Sequence, residues 1–188
     1  MVLGTIEPRK NAGQVLRFIK EHPGFLKQHK FVFLGRFGWG TTIEEQISHF
    51  GVGDAYSSGR IVFPGFVSDY VKCLLLRDAE LVIYPSLFEG FGLPLLEAAA
   101  LGVPCVTTRS SSLPEVGGKV CYYFDPFTNG DFDRTLMKAV LDLQVRGDEI
   151  RRECIAWAET FSWDKTYARM MGGIRSLFRK RCLSGVVD

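Results

Sequence analysis

The sequence predicts an α/β fold with one doubly wound parallel sheet, followed by C-terminal helices. Short, almost continuously apolar runs alternate with longer amphipathic stretches, as expected when helices cover both faces of parallel strands. From residue 131 onward the pattern is helical only. The 188 residues can form one buried core but are too few for two ordinary domains. We therefore expect a single Rossmann-like domain over residues 1–188.

Six apolar runs have the length of strands, and aromatic residues within them are expected in the core. The predicted strands are 1–3, 31–34, 60–63, 81–84, 105–107 and 120–123. The aromatic core candidates are Phe31, Phe33, Phe63 and Tyr84.

Amphipathic stretches predict the helices that connect and follow these strands. The predicted helices are 12–21, 43–50, 69–77, 94–101, 131–145, 148–160 and 163–178. Asn11 and Ser68 are the residue types that cap helix N-termini, so each is predicted to cap the helix that follows it. Trp157, Phe161 and Trp163 are expected to pack the last helices onto the sheet.

Composition excludes several classes of protein. No apolar run reaches the roughly 18 residues of a membrane-spanning helix, and the N-terminus lacks a secretory leader, which predicts a cytoplasmic protein. The net charge is only +2, which argues against a nucleic-acid-binding protein. Arg175, Arg179, Lys180 and Arg181 form the one basic cluster, interpreted as a solvated helix end. Two alternatives are that this basic cluster contacts a partner domain or that it contacts the inner face of an anionic membrane.

The cysteines and histidines do not indicate a metal site. The five cysteines are widely spaced, which is typical of reduced and mostly buried thiols. None of the three histidines lies in a short metal-ligand pattern with a cysteine or another histidine. We expect no metal and no resident cofactor.

The chemistry is expected in the loops that follow the strands. Ligands of such sheets bind beyond the carboxyl ends of the strands, where the strand order reverses. Five loops lie there and are rich in Gly, Pro, Ser and charged residues: 4–11, 35–41, 64–68, 85–93 and 108–115.

The loop after the fourth strand has the strongest signal. Gly90 and Gly92 allow a ligand close to the backbone, and the free amides at the following helix start suit a phosphate. Glu97 is predicted in the first helical turn, where its carboxylate can accept two hydrogen bonds from a cis-diol such as a ribose. Glu89 precedes the helix and can hold another part of the ligand. A glutamate near a helix start also stabilises the helix without any ligand.

The loop after the first strand is basic. Arg9 and Lys10 directly precede a helix N-terminus, where positive charge is unfavourable unless an anion lies between them. Arginine and lysine are both suited to bind a phosphate. A solvated basic pair is the alternative.

These loops belong to a longer series of motifs in a fixed order. The series consists of GTIEPRKN at 4–11, FPGFVSD at 63–69, YPSLFEGFGLPLLEA at 84–98, GVPCVT at 102–107, SSLPEV at 111–116 and FSW at 161–163. With these motifs the chain resembles the C-terminal, donor-binding domain of the retaining GT-B glycosyltransferases of family 4. It is most similar to their mannosyltransferase-like bacterial members.

The resemblance implies a role for each matching residue. Lys10 matches the diphosphate-binding lysine and Arg9 adjoins it, while Glu97 matches the ribose-binding glutamate and Glu89 the one that faces the transferred sugar. Backbone groups would contact the sugar and phosphates at Gly90, Phe91, Gly92 and Leu93, and the base near Val67. Thr5 stands where many members have an arginine, so Arg9 is expected to supply part of that charge.

The implied activity is transfer of a hexose, with mannose favoured, from a GDP- or UDP-linked sugar to a glycan or lipid-linked acceptor. The N-terminal GT-B domain that would carry the acceptor site is expected to be missing, so the chain alone is expected to be inactive in polysaccharide biosynthesis. A non-catalytic nucleotide-binding or interaction module is one alternative. Another GT-B activity, such as a sugar-nucleotide epimerase or a phosphorylase, is a further one.

Overall fold

Six parallel strands form one sheet in a computed structural model that describes residues 1–36, 38 and 42–183, with side chains to residue 178. The strands are β1 (Val2–Leu3), β2 (Phe31–Leu34), β3 (Ile61–Gly65), β4 (Val82–Tyr84), β5 (Cys105–Thr108) and β6 (Cys121–Phe124). All six predicted strands are confirmed, with ends that differ by at most two residues.

The strand order is β3-β2-β1-β4-β5-β6, so the chain winds in opposite directions from the centre. Val2 of β1 pairs with Phe33 of β2 on one side and with Ile83 of β4 on the other. The connections therefore diverge between β1 and β4, and a crevice opens beyond their carboxyl ends. The prediction of a doubly wound, Rossmann-like sheet is confirmed.

Within the described residues, eight α-helices connect and extend the sheet. They are α1 (Ala12–Glu21), α2 (Ile43–Phe50), α3 (Gly53–Ser57), α4 (Asp69–Arg77), α5 (Leu93–Ala100), α6 (Leu113–Gly117), α7 (Asp131–Ala158) and α8 (Trp163–Leu183). Short 3-10 turns lie at Pro8–Lys10 and Phe25–Lys27. The sequence did not predict α3, α6 or these turns because segments of three to five residues are too short for a helical periodicity.

The two predicted helices at 131–145 and 148–160 form one bent helix. The 28 residues of α7 are helical on either side of Arg146, which has non-helical dihedrals, with φ −136° and ψ 33°. The bend therefore lies next to Gly147, the residue that indicated a break in the sequence.

Both predicted residues occupy N-cap positions, but only Ser68 caps its helix with its side chain. The Ser68 hydroxyl accepts a hydrogen bond from the Val71 amide at 3.3 Å, as predicted. Asn11 occupies the N-cap position of α1, but its side chain makes no capping hydrogen bond. Its amide donates to the Pro8 carbonyl and closes the preceding 3-10 turn, and the residue adopts a left-handed conformation with φ 51°. That conformation differs from the extended backbone typical of a capping residue.

Apolar side chains form a core on each face of the sheet. One face packs Val15, Phe18, Phe33, Phe124 and Phe132 among others, and the opposite face packs Leu76, Val82, Tyr84, Leu95 and Leu113 among others. Of the aromatic core candidates, Phe31, Phe33 and Tyr84 are buried as predicted. Phe63 is only partly buried because β3 is an edge strand, and its ring stacks on Phe33 at 4.8 Å.

The aromatic residues of the last helices have different environments. Trp157 Nε1 donates to the Val116 carbonyl at 2.8 Å, and Phe161 packs edge-on against the Trp157 ring. The prediction for Trp163 is wrong, since this side chain is 86% exposed. Helix α8 presents further large apolar side chains to solvent, among them Tyr167, Leu177 and Phe178.

The fold brings together cysteines that are distant in sequence. Cys105 and Cys121 are paired residues on β5 and β6, and their contact together with burial raises the pKa of the Cys105 thiol. Burial raises the pKa of Cys154 to about 12. The four cysteines with described side chains are free thiols, and Cys73 is exposed. Cys182 and the basic residues 179–181 lie beyond the described side chains.

No helix in the described part of the chain is both long enough and apolar enough to span a membrane.

Candidate functional site

The two loops with the strongest sequence signals meet at the crevice between β1 and β4. The Leu87 amide, after β4, donates to the Arg9 carbonyl, after β1, at 2.9 Å. Because β1 and β4 are adjacent and parallel, their following loops emerge at the same edge of the sheet. The predicted basic loop and the predicted glutamate loop therefore form one site.

The centre of the site is an ion pair between these loops. Lys10 Nζ lies 2.5 Å from Glu89 Oε1, and the two side chains are only 13% and 12% exposed. Arg9 lies at the rim, where its guanidinium donates to the Phe88 carbonyl and pairs with Glu7, both at 2.8 Å. It also lies 3.3 Å from Glu89 Oε1. All three residues predicted to be catalytic are thus brought together.

Glu89 is held in its ionised form. Burial by itself raises the pKa of this carboxyl group, but hydrogen bonds from Lys10, Ser86 and Tyr84 outweigh burial and keep the pKa below its usual value. The Ser86 hydroxyl donates to Glu89 Oε1 at 2.6 Å. One carboxylate oxygen therefore accepts from both Lys10 and Ser86.

Hydroxyl groups buried below the site support the Glu89 loop. Within the described residues, the buried polar side chains are Ser86, Thr107 and Thr108. Thr107 Oγ1 donates to the Tyr84 carbonyl at 2.8 Å, and Thr108 Oγ1 to the Ser86 carbonyl at 2.6 Å. The end of β4 is therefore anchored to β5, which fixes the origin of the loop.

The segment between Glu89 and α5 exposes its backbone. Gly92 is the N-cap of α5 with a left-handed φ of 100° and no side-chain cap, and Pro94 follows in the first turn as predicted. Ser112 Oγ donates to the Phe91 carbonyl at 2.9 Å, while Phe91 and Leu93 have exposed side chains. The start of α5 has no side-chain cap, and a helix N-terminus of this kind suits an anion.

Glu97 lies at a different helical position from the one predicted. Helix α5 begins at Leu93, so Glu97 is its fifth residue and begins the second turn. The expectation of a first-turn residue is wrong because the left-handed Gly92 starts the helix earlier in the loop. The Glu97 carboxylate is 38% exposed and lies 2.9 Å from Lys72 Nζ of α4.

Glu97 lines a cleft of about 370 Å³ between α5 and the loops after β1, β2 and β3. Val67 also lines this cleft, as the predicted base-contacting residue. Thr5 lies beside Gly35 and Gly38, where the loops after β1 and β2 approach each other. Residues 37 and 39–41 of the loop after β2 lie outside the described residues.

Four residues of this region were not predicted from the sequence as site residues. Tyr84 was assigned to the core, but its hydroxyl lies 2.8 Å from Lys10 Nζ. Ser86, Ser112 and Lys72 contact predicted site residues through hydroxyl and ammonium groups. The only signal available was the occurrence of Ser and Lys within or next to the predicted loops.

One group of possible metal ligands converges far from this site in the described chain. The ligand atoms of Glu21, His22 and Asp133 lie within 4.8 Å of one another where α1 ends and α7 begins. His22 Nε2 lies 3.0 Å from Asp133 Oδ2. The sequence did not indicate this group because Asp133 is distant in sequence from the other two residues. We interpret the His22–Asp133 contact as a link between α1 and α7.

Comparisons with known proteins agree on a family. A family model described as glycosyl transferases group 1 matches residues 1–143. The O-antigen chain mannosyltransferase B of Escherichia coli is 32% identical over 178 residues, covering 94% of this chain and 45% of its own length. A GDP-mannose-dependent alpha-(1-6)-phosphatidylinositol dimannoside mannosyltransferase of Mycobacterium tuberculosis is 31% identical over 122 residues, covering 62% of this chain and 30% of its own length.

Solved structures share the fold. HepE of Anabaena in complex with UDP superposes with a TM-score of 0.74 at 19% identity, covering 93% of this chain and 48% of HepE. WaaG, a glycosyltransferase involved in lipopolysaccharide biosynthesis, has a TM-score of 0.62 at 22% identity, covering 84% of this chain and 40% of WaaG. The chain spans less than half the length of each of these four proteins.

Proposed function

Since this chain belongs to the glycosyl transferases group 1 family and is a GT-B domain with mannosyltransferase relatives, we propose that it is the donor-binding half of a retaining glycosyltransferase. The reaction transfers a hexose from a nucleoside-diphosphate sugar to a glycan or glycolipid acceptor. The observation that carries this proposal is the Lys10–Glu89 ion pair at the crevice between β1 and β4, together with Glu97, which lines the adjoining cleft. The mannosyltransferase names of the relatives favour mannose, and one of them favours GDP as the carrier.

The basic loop stabilises the leaving group in this proposal. When the sugar departs, negative charge grows on the nucleoside diphosphate, and preorganised donors lower the energy of that state. Lys10 and Arg9 supply two cations at the crevice, and the α5 amides near Gly92 and Leu93 add partial positive charge. Thr5 contributes no cation, so Arg9 takes part of that role.

The two glutamates have different tasks. Glu97 accepts hydrogen bonds from the ribose hydroxyls, and its contact with Lys72 orients the carboxylate at the cleft. Glu89 orients the hydroxyls of the transferred sugar. Because its Oε1 already accepts from Lys10 and Ser86 and its pKa is held low, Glu89 is a weak nucleophile. Orientation of the donor is therefore a better role for Glu89 than covalent attack.

In this proposal the nucleotide base lies in the cleft near Val67, where backbone groups after β3 can contact the edge of the base. Phe66 and Gly65 line the same cleft, and Gly65 has open space where a side chain would be. This placement uses a polar carboxylate for the ribose and a mainly apolar wall for the base, a combination usual in small-molecule sites.

Titration calorimetry with GDP, UDP and ADP tests the donor site. We expect Lys10→Ala to weaken diphosphate binding about tenfold or more, the range of a lost charged hydrogen bond, and Glu97→Ala to weaken it about tenfold. Glu80→Ala is the matched control, because Glu80 pairs with His29 outside the crevice. Absence of binding, or binding unaffected by both site substitutions, would refute the donor site.

We further propose that the acceptor side and the rest of the catalytic environment come from an N-terminal domain, as the resemblance to GT-B glycosyltransferases implies. The chain alone then binds donor nucleotide weakly and transfers little or no sugar. Robust sugar transfer by the purified 188-residue chain would contradict this division of labour. A cytoplasmic location is proposed with it, and the free thiols of the described cysteines support a reducing compartment.

A further inference from the structure

Tyr84 connects the apolar core to the Lys10–Glu89 ion pair. It is the last residue of β4 and is 2% exposed, with its ring in the core on the α5 face. Its hydroxyl lies 2.8 Å from Lys10 Nζ, and the Lys10 ammonium also lies 4.8 Å from the centre of its ring. A buried tyrosine hydroxyl requires a polar partner, and here that partner, Lys10, belongs to the proposed donor site.

The direction of each hydrogen bond follows from the chemistry of the three groups. An ammonium only donates, so the Tyr84 oxygen accepts from Lys10, and the Glu89 carboxylate bonded to the same ammonium lies beside the hydroxyl. Burial, reinforced by the charge of Glu89, raises the pKa of Tyr84 far above its usual value. The hydroxyl therefore keeps its proton and remains a donor.

This arrangement limits the freedom of Lys10. Two of its three N–H groups are directed to Tyr84 and Glu89, which sets the direction of the third. Because the Tyr84 ring is packed in the core and its carbonyl is bonded to Thr107, it is a rigid reference for the flexible lysine side chain. Glu89 Oε1 in turn accepts from Lys10 and Ser86, so the Glu89 side of the ion pair is held in place as well.

We propose that Tyr84 is a positioning residue that aims the Lys10 ammonium at the diphosphate of the donor. This inference rests on the proposed donor site and assigns to Tyr84 a role in diphosphate recognition, with no direct contact to the ligand. It distinguishes Tyr84 from the other buried aromatic residues of the sheet, whose rings only fill the core.

The test compares Tyr84→Phe with Tyr122→Phe by titration with GDP and with guanosine, or with UDP and uridine if the chain prefers UDP. Tyr122 is the matched control because its hydroxyl bonds to a charged side chain, Asp142, at 3.1 Å. Tyr122 lies on β6, away from the Lys10–Glu89 pair. We expect Tyr84→Phe to weaken diphosphate binding about five- to tenfold, which is within the net range of one ordinary hydrogen bond, and to leave nucleoside binding unchanged. Tyr122→Phe is expected to change neither.

A double-mutant cycle separates positioning from general stability. If Tyr84 acts through Lys10, Tyr84→Phe has no further effect on diphosphate binding in the Lys10→Ala background. Independent effects of the two substitutions, equal losses of nucleoside and diphosphate binding, or unchanged binding in Tyr84→Phe would each overturn the proposal. A wild-type chain that binds no nucleotide would refute the donor site itself, which is a different outcome.

A measurement on the wild-type chain covers the case in which Tyr84→Phe fails to fold. The carbon-13 shift of the Tyr84 ring carbon that bears the hydroxyl is followed during titration with GDP. A diphosphate that recruits Lys10 alters the hydrogen bonds of that hydroxyl, so the signal is expected to move, and to move far less with guanosine. An unchanged signal at saturation with GDP would overturn the proposal.

Discussion

The two glycines of the loop after β4 have different physical roles at the scale of single residues. Gly92 has a φ of +100°, and a Cβ atom there would lie 2.7 Å from Cδ2 of the buried Leu113. A Cβ atom at Gly90 would have nothing within 4 Å. From the sequence, both glycines were interpreted as openings for a ligand. In the structure, only Gly92 has a backbone conformation that requires glycine.

Gly92→Ala is therefore expected to destabilise the chain. A left-handed alanine and an overpacked contact with Leu113 together cost about 2 kcal/mol, which lowers the melting temperature by about 5 °C for a chain of this size. Gly90→Ala is the matched control, expected within about 0.5 kcal/mol of wild type but with weaker nucleotide binding. Thermal and urea unfolding measure both, and equal stability of the two variants would contradict the assignment.

Glu89 makes a pH-dependent contribution to stability. Its pKa is lowered in the folded chain, so the carboxylate stabilises the fold above the unfolded-chain value of about 4.3, and this contribution disappears as the pH falls through the folded value. We expect the difference in unfolding free energy between wild type and Glu89→Gln to be largest above about pH 5 and to shrink toward pH 3. Urea unfolding at several pH values measures it, and a pH-independent difference would count against the depressed pKa.

Some residues of the candidate site could be predicted from the sequence and others could not. Lys10, Arg9 and Glu89 were predicted because their residue types and their loops carry the signal, and the structure places them together. Lys72 lies on a different helix from Glu97, and its contact with that carboxylate depends on how α4 packs beside α5. A single sequence contains no information on that contact.

Helix α8 is the element whose surroundings differ most from expectation. A helix over 163–178 was predicted and α8 begins at Trp163 as expected, yet Trp163, Tyr167 and Leu177 are exposed. Preceding α8, Trp157 and Phe161 pack against each other, and Trp157 also bonds to Val116. The boundary between packed and unpacked chain therefore lies at residue 162.

Truncation after Phe161 is expected to leave the domain folded. Because the α8 side chains named above contribute little buried area, the free energy of unfolding should change by less than about 1 kcal/mol. Trp157→Ala in the full chain is the contrasting variant, expected to cost about 2 kcal/mol or more through lost packing and the lost Val116 hydrogen bond. Urea unfolding compares the two, and a loss of several kcal/mol on truncation would show that α8 packs on the domain in solution.

The short elements show why local sequence patterns are insufficient at this scale. The 3-10 turn at Pro8–Lys10 makes Asn11 left-handed and moves the polar loop close to β4. This turn places Lys10 within reach of Tyr84. Three residues cannot display a period, so the geometry of this part of the site was not predictable from the hydrophobic pattern.

At the scale of the whole molecule, the strand order determines where the site forms. Loops that are 74 or more residues apart in sequence are joined because β1 lies between β2 and β4. The alternating strand and helix pattern predicts a parallel sheet with right-handed connections, which leaves few possible orders. The position of the crevice then follows from the reversal of winding between β1 and β4.

The strand and helix pattern, the fold class and the loops expected to carry chemistry could all be predicted from the amino-acid sequence. These features depend on periodicity and on Gly, Pro and charged residues that are close in sequence, so they can be recognised locally. Tertiary contacts bring Tyr84, Ser86 and Lys72 to the site. The tertiary structure also places Glu97 in the second turn of α5 and leaves Trp163 exposed. The physical reason is that a side chain's partners are set by strand register and helix packing, which bring distant residues within hydrogen-bonding distance.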